Sequence, residues 1–329
     1  MLWLHLGMPK TGTTALQGFL RDNSSALADA GLHYMEAGRR RLEGKTRLVM
    51  SHNIIAFHIN QTNEPMDPFR AAMTSEFDDH ADRTCLVSSE MFYSVDLERL
   101  AQVFAEIPAR ALRITFYCRR YSDFFEADYK QRAKNGRLVN AGSGYIKAQL
   151  AQIEANPAQY SFAAKVADIR TAFPGVTVVP MLYDRAEMTN GHVVADFLTR
   201  VGTPVADDLM GQQPANPSQS RAASEAFGIV TRAMGRRKSR QLRRTTLDFP
   251  VMVRRNDVLE PDERAWLDDY MAGQDLSFQR EFFPDRHSLF SQVELSAQEQ
   301  AFRRDTPQEY EALRKASEIV FRLALEAQP

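Results

Sequence analysis

The stretch LWLHLGMPKTGTT, residues 2–14, decides how the chain is read. Leu2 to Leu6 is a short apolar run of the length of a buried strand. Gly7 breaks it. From about Thr13 to Ala30, Leu16, Phe19, Leu20 and Leu27 recur at helical spacing, and Gly31 ends the helix. A strand, a glycine-bounded loop and a helix in direct succession make an anion cradle, because the N–H groups of the first helical turn face the loop. Gly7, Gly12 and Thr14 match the spacing of a Walker loop. The lysine of that motif belongs at position 13, where Thr13 stands, and the lysine lies inside the loop as Lys10. In its usual place the lysine reaches the β- and γ-phosphates of a triphosphate. At position 10 it sits over a shorter group. A plain glycine turn with surface lysine and threonine is the rival reading. The coincidence of strand, two glycines, proline, lysine and three threonines favours the cradle.

Working outward, Cys85 to Ser88, Leu112 to Cys118 (LRITFYC) and Val176 to Leu182 (VTVVPML) read as further strands. Helical stretches separate them, including Leu97 to Ile107 and Ser122 to Lys134. Short apolar strands alternating with helices predict βα units and a parallel sheet covered on both faces. The expected fold is therefore α/β: a P-loop nucleotide-binding fold with a central parallel sheet flanked by helices, plus a helical C-terminal extension. One domain is expected over 1–329, with 207–329 a mainly helical region packed on it. The basic segment Arg39 to Lys45 reads as loop, and Gln212 to Ser220 as a polar connection. The basic run Arg236 to Arg244 reads as a solvated helix face. In parallel sheets ligands bind beyond the carboxyl ends of the strands. Gly7 to Thr14, Ser89 to Met91, Arg119 to Asp123 and Tyr183 to Arg185 are accordingly the segments of interest.

A formal net charge of −1 over 329 residues provides no global field to recruit nucleic acid or an anionic membrane, so an anion must be captured by local groups. Two cysteines, Cys85 and Cys118, exclude a disulfide framework. Both sit in apolar runs as buried thiols, which fits a reducing compartment. No basic-then-apolar leader opens the sequence, and no apolar stretch has the length of a bilayer span. A cytoplasmic location is expected, with peripheral contact with a membrane carrying the substrate left open. The histidines and cysteines show no metal-ligand spacing, and no metal is expected.

The loop GMPKTGTT is very similar to the 5′-phosphosulfate loop of sulfotransferases that use 3′-phosphoadenosine 5′-phosphosulfate (PAPS). The form Pro9, Lys10, Thr11, Gly12, Thr13 resembles bacterial, carbohydrate-type members. The resemblance implies that Pro9, Lys10, Thr11, Gly12, Thr13 and Thr14 hold the 5′ end of the donor. Such enzymes carry a second signature at the end of a later strand: an arginine, a serine eight residues on, and a tyrosine two further, with arginine and serine on the 3′-phosphate. Arg119 and Tyr129 fall at the first and third positions, and Ala127 departs from the second. A missing hydroxyl bond to a charged phosphate costs roughly 1.5–3 kcal/mol. Ser122, one turn earlier, and Arg120 are expected to compensate. Two cations at a helix start oppose its dipole, which a bound anion explains.

CLVSSEMF is also similar to the family, whose loop after this strand faces the acceptor. It makes Glu90 the first candidate for the base. His52 is the second, since imidazole suits base chemistry near neutral pH. His5, inside the first strand, reads as a core histidine. Weaker echoes are PMLYDRAEMTNGHVVADFLTRVG, NPSQSRAASEA and FFPDRHSLF. The resemblance implies sulfuryl transfer from PAPS, without a metal, to a hydroxyl or amine of a saccharide or glycoconjugate. Lipid-linked glycans and small alcohols remain open as acceptors, and no nucleic-acid partner is expected. Two alternatives stand beside it. A non-catalytic nucleotide-binding protein on this scaffold would fit Ala127. An ATP-dependent P-loop kinase would need Mg²⁺ and a lysine at position 13.

Overall fold

The computed structural model describes residues 1–40, 48–138, 141–203, 218–246 and 248–326. Most of the Arg39 to Lys45 and Gln212 to Ser220 segments lies outside them. The chain divides into two compact units. The first comprises Met1–Arg119, Ser161–Gln213 and Asp275–Ser291. The second comprises Arg120–Tyr160, Pro214–Gln274 and Gln292–Pro329. The division does not follow a boundary near residue 207: part of the C-terminal region belongs to the first unit, and a mid-chain helix pair joins the second.

In the first unit, β1 (Leu2–Leu6) is buried at every position. The reason is its place at the centre of the sheet. Among the described residues the sheet has five parallel strands in the order β2-β3-β1-β4-β5. Its other members are β2 (Leu32–Tyr34), β3 (Thr84–Ser89), β4 (Leu112–Cys118) and β5 (Thr177–Leu182). The α/β architecture expected from the apolar runs is thus present. The edge strand β2 was not visible in the sequence, because three residues are too few to show a period.

Alternation along the strands builds two cores. Trp3, Leu86, Tyr117 and Met181 face α1 (Thr13–Asp22), α2 (Ser24–Asp29) and the later helix Val193–Arg200, meeting Leu16, Phe19, Leu20, Leu27, Val194 and Phe197. Phe116 points to the opposite face, where its ring meets Tyr93 at 5.8 Å. Among the described residues the other α-helices of this unit are α3 (Asn53–Gln61), α4 (Asp67–Asp79), α5 (Leu97–Val103) and, beyond the second unit's first segment, Phe162–Ala172 and Leu276–Phe282. The single helix expected over Thr13 to Ala30 is two. Asn23 turns its amide onto the Phe19 carbonyl at 3.0 Å and interrupts the ladder.

The second unit is helical. It contains α6 (Tyr121–Lys134), α7 (Ser143–Ala155), then, after α8 (Phe162–Ala172) and α9 (Val193–Arg200) of the first unit, α10 (Arg221–Thr245) and α11 (Pro261–Gln274). Following α12 (Leu276–Phe282) of the first unit come α13 (Ala297–Gln300) and α14 (Pro307–Glu326). Small residues let α10 and α14 approach closely: Ala222, Ala223, Ala226, Ala316 and Ala324 share a core with Phe227, Val230 and Val320. Gly228 permits the crossing of α10 on α6, since a β-carbon there would lie 2.3 Å from the Ala133 carbonyl oxygen.

The basic run does not continue one straight helix. Gly235 has φ 82° and ψ 163°, outside the helical region. Beyond it the chain turns back, so that the Thr231 hydroxyl is 2.7 Å from that of Ser239 and the Arg243 guanidinium lies over the Phe227 ring at 5.6 Å. In a continuous helix residues eight apart are separated by about 12 Å. α10 is therefore a hairpin of two helical arms with Gly235 at its tip.

Candidate functional site

β1 lies between β3 and β4, and the chain builds the β2–β3 side before crossing to β4 and β5. This reversal makes the carboxyl end of β1 the switch point where open α/β sheets take ligands. Four of the expected segments of the first unit meet there: the loop after β1, Glu90 after β3, Arg119 after β4 and Tyr183 after β5.

The loop is fixed at both ends. Gly7 donates its N–H to the Ser89 carbonyl at 2.9 Å, which continues the β1–β3 ladder by one rung. A β-carbon on Gly7 would lie 2.7 Å from both Glu90 Cα and the Thr13 methyl group, so only glycine allows this approach. At the other end Gly12 is left-handed, with φ 77°, and caps α1. A side chain there would strike Val193 of α9 at 2.8 Å. Between them the buried Thr11 hydroxyl donates to the Met8 carbonyl at 2.7 Å and closes the turn.

Lys10 is held at φ 68°, in the left-handed region that costs a side-chain-bearing residue roughly 1–2 kcal/mol. Its carbonyl accepts a 2.5 Å bond from the Arg119 guanidinium, which also lies 5.5 Å over the Tyr183 ring. Arg119 thus clamps the loop from the neighbouring strand. Positions 10 and 12 are both left-handed, a backbone of the kind from which anion-binding concavities are built. The N–H groups of Thr13 and Thr14 lie in the first turn of α1, where the helix offers them no acceptor. Pro9 and Lys10 are half-buried, Thr13 is buried and Thr14 is exposed.

Glu90 is exposed at the start of a short helical turn, Glu90–Ser94. Its carboxylate accepts from the Thr13 hydroxyl at 3.4 Å, which brings the first base candidate beside the loop. His52 is placed differently. It is fully buried; its Nδ1 accepts from the Ser88 N–H at 3.2 Å and its Nε2–H donates to the Met35 carbonyl at 3.0 Å. Both ring nitrogens are spent on pinning β3 to the chain beyond β2, and the ring reaches no open surface. Burial, helped by Arg39, lowers its pKa to about 3. The expectation that His52 serves as a base is corrected on this ground.

His5 is the core histidine the sequence suggested. Its Nδ1 is 2.9 Å from the Ser88 hydroxyl, and burial lowers its pKa to about 3. Both imidazoles are neutral in the fold and would protonate near pH 6.5 in the unfolded chain. Their contribution to stability is therefore complete above about pH 6.5 and is lost as the pH falls from there toward 3. The urea midpoint is expected to drop between about pH 7 and about pH 5.5, by the equivalent of roughly 1 kcal/mol for each histidine. A flat midpoint over this range would show that the rings are not held neutral.

The residues assigned to the 3′-phosphate fall partly in the second unit, where they are already engaged. The buried Ser122 donates its N–H to Asp268 at 2.9 Å and its hydroxyl to the other Asp268 oxygen at 2.7 Å. The hydroxyl also accepts from Arg264 at 2.8 Å. The Arg120 guanidinium is 3.8 Å from Asp123 and 4.0 Å from Asp268. An anion does sit at the α6 N-terminus, as the paired arginines suggested, but it is the protein's own Asp268. Burial pushes that carboxyl above its usual range, against the Ser122 bonds and Arg120. Ser122 has no spare donor to replace the hydroxyl absent at Ala127, and that expectation is corrected. Tyr129 donates to Glu225 at 2.6 Å and accepts from the Gly142 N–H at 2.8 Å, a role internal to this unit.

Two supporting residues had no assigned role in the sequence. Val193 backs Gly12, and Tyr183 lies under Arg119. The only available sign for Tyr183 was its position after a parallel strand. Val193 had none.

Among the described residues no helix is long and apolar enough to cross a membrane. No family model matches the chain, and no solved structure matches it. Among known proteins the chain is similar to an uncharacterised protein of Archaeoglobus fulgidus, 25% identical over 139 residues. The matched part is 42% of this chain and 36% of that protein, so the chain spans about a third of its relative's length.

Proposed function

We propose that the chain is a PAPS-dependent sulfotransferase acting on a hydroxyl or amine, with a saccharide or glycoconjugate as acceptor. The observation that carries this reading is the strained Lys10, placed within a glycine-bounded loop and clamped by Arg119 at the sheet's switch point. Strain of this kind persists where the surroundings over-determine it, and such places cluster at functional sites.

In this reading the N–H groups of Gly12, Thr13 and Thr14 hold the 5′-phosphate, and the threonine hydroxyls add donors. The acceptor oxygen attacks sulfur and forms the new S–O bond. The S–O bond to the phosphate breaks, and its electron pair stays on the phosphate oxygen. Lys10 meets the charge that grows on that oxygen, a preorganised cation aimed at the transition state. Glu90 takes the acceptor's proton. Two buried free thiols fit a reducing, cytoplasmic compartment.

The Ser122–Asp268 bonds favour one other reading, a nucleotide-binding protein on this scaffold that does not transfer. An ATP-dependent kinase is less well supported, because Thr13 fills the lysine position and its hydroxyl is turned to Glu90. Titration calorimetry with 3′,5′-adenosine bisphosphate and with ATP–Mg²⁺ separates the three. The bisphosphate is expected to bind, and Arg119→Ala is expected to weaken it about tenfold by releasing the loop. Absence of bisphosphate binding sinks the proposal. Binding without sulfation of any acceptor from PAPS leaves the scaffold reading.

A further inference from the structure

The tip of the α10 hairpin carries the molecule's densest positive charge. From Arg236 to Arg244 the sequence RRKSRQLRR holds six cations, and the flanking acidic residues are as distant as Glu225 and Asp248. Arg243 is turned inward, onto the Lys134 carbonyl at 2.8 Å. Arg236, Arg237, Lys238 and Arg240 are exposed and have no ion pair among the described residues.

The carboxylates of the neighbouring helices are spent elsewhere. On α14, Glu309 is paired with Arg221 and Arg254, Glu311 and Glu318 with Arg314, and Glu326 with Arg322. On α6, Asp123 and Glu126 are paired with Arg264, and Asp128 with Arg132. The four cations therefore face solvent uncompensated, on a chain whose net charge is −1.

Exposed apolar side chains lie at the same end. The first arm of α10 and α14 run in the same direction. Their N-terminal residues Arg221 and Glu309 are 3.5 Å apart, while Val230 and Val320 meet in one core further along. At about 1.5 Å per residue, thirteen residues from Arg221 to Met234 and twelve from Glu309 to Phe321 advance equally. Phe321, 41% exposed, is thus level with the residue before the Gly235 tip, and Leu325, 67% exposed, lies about one turn beyond it.

Cations at the same end as exposed phenylalanine and leucine are the composition of a surface that lies in a lipid interface. A polyanionic chain would be met by the cations alone and would leave the apolar pair unexplained. We propose that this tip docks on a bilayer containing anionic phospholipid, with Arg236, Arg237, Lys238 and Arg240 on the headgroups and Phe321 and Leu325 dipping below them. The observation is independent of what the chain catalyses.

Sedimentation of the full chain with vesicles tests it. Binding is expected to phosphatidylcholine vesicles containing roughly one-third phosphatidylglycerol, to weaken with salt, and to be absent with phosphatidylcholine alone. Each headgroup cation is worth about fivefold, so Arg237→Gln with Lys238→Gln is expected to lower binding about 25-fold. Phe321→Ser with Leu325→Ser is expected to lower it about tenfold while leaving affinity for soluble polyphosphate or single-stranded RNA unchanged. Circular dichroism checks that each pair folds, and Arg236→Gln with Arg240→Gln repeats the test if the first pair does not. Failure to bind anionic vesicles, or equal binding by the neutralised chain, overturns the proposal. So does unchanged vesicle binding by the serine pair, which would identify the patch as a site for a polyanionic chain.

Discussion

Lys10→Ala is expected to slow sulfuryl transfer from PAPS by about a hundred- to a thousandfold while the chain stays folded. The backbone at this position is held by the Arg119 bond to the Lys10 carbonyl and the Thr11 bond to Met8. Alanine keeps both bonds and the same left-handed strain. Bisphosphate affinity is expected to fall by only about tenfold, because the N–H groups of the α1 turn remain. The larger loss in rate than in binding is the signature of a cation matched to charge that develops on the leaving oxygen. Lys10→Gly sharpens the result. Glycine relieves the left-handed strain, so this variant should be more stable than Lys10→Ala by about 1 kcal/mol and equally slow. Stability and activity would then move in opposite directions, which excludes unfolding as the cause of the loss. Transfer unchanged in both variants would remove Lys10 from the mechanism.

Much of the first unit could be read from the chain because its signals are local. A buried parallel strand is a continuous apolar run, and β1, β3, β4 and β5 each announce themselves in five to seven residues. The loop had a local pattern too, two glycines, a proline and a lysine between strand and helix, although the contacts that require glycine at positions 7 and 12 come from the distant Glu90 and Val193. What could not be read is what depends on partners far away in sequence. His52 looks like any histidine in a mixed segment until β3 closes over it and takes both ring nitrogens. Ser122 looks like a spare hydroxyl until Asp268, 146 residues later, fills its N–H and its oxygen. The bend in α10 was hidden for another reason. One glycine in a helical pattern is usually tolerated, and only the Thr231–Ser239 and Phe227–Arg243 contacts show that the chain turns back there.

Arg264→Ala is expected to destabilise the chain by about 3–5 kcal/mol, since it strands a buried carboxylate. The guanidinium of Arg264 donates to Ser122 at 2.8 Å, Asp123 at 2.9 Å, Glu126 at 2.7 Å and Asn256 at 2.9 Å, and it is itself buried. Asp123 is partly exposed and can be solvated when its partner leaves. Glu126 cannot: beyond Arg264, its bonds among the described residues come from the Val258 and Leu259 N–H groups, at 3.4 and 3.2 Å. Burial already raises the Glu126 pKa above its ordinary value despite the cation. Removing Arg264 lifts it further. A carboxyl whose folded pKa exceeds its unfolded one weakens the fold as the pH rises through that interval, and does not do so below it. The cost of Arg264→Ala should therefore be larger at about pH 7 than at about pH 5, the reverse of the acid sensitivity expected from His5 and His52. Adding Glu126→Gln removes the stranded charge and should recover a large part of the loss at about pH 7, so the two substitutions together cost less than their sum. A penalty that is independent of pH and additive with Glu126→Gln would mean that Arg264 acts by its bulk, and that the ionic contacts around α6 contribute little to holding this unit together.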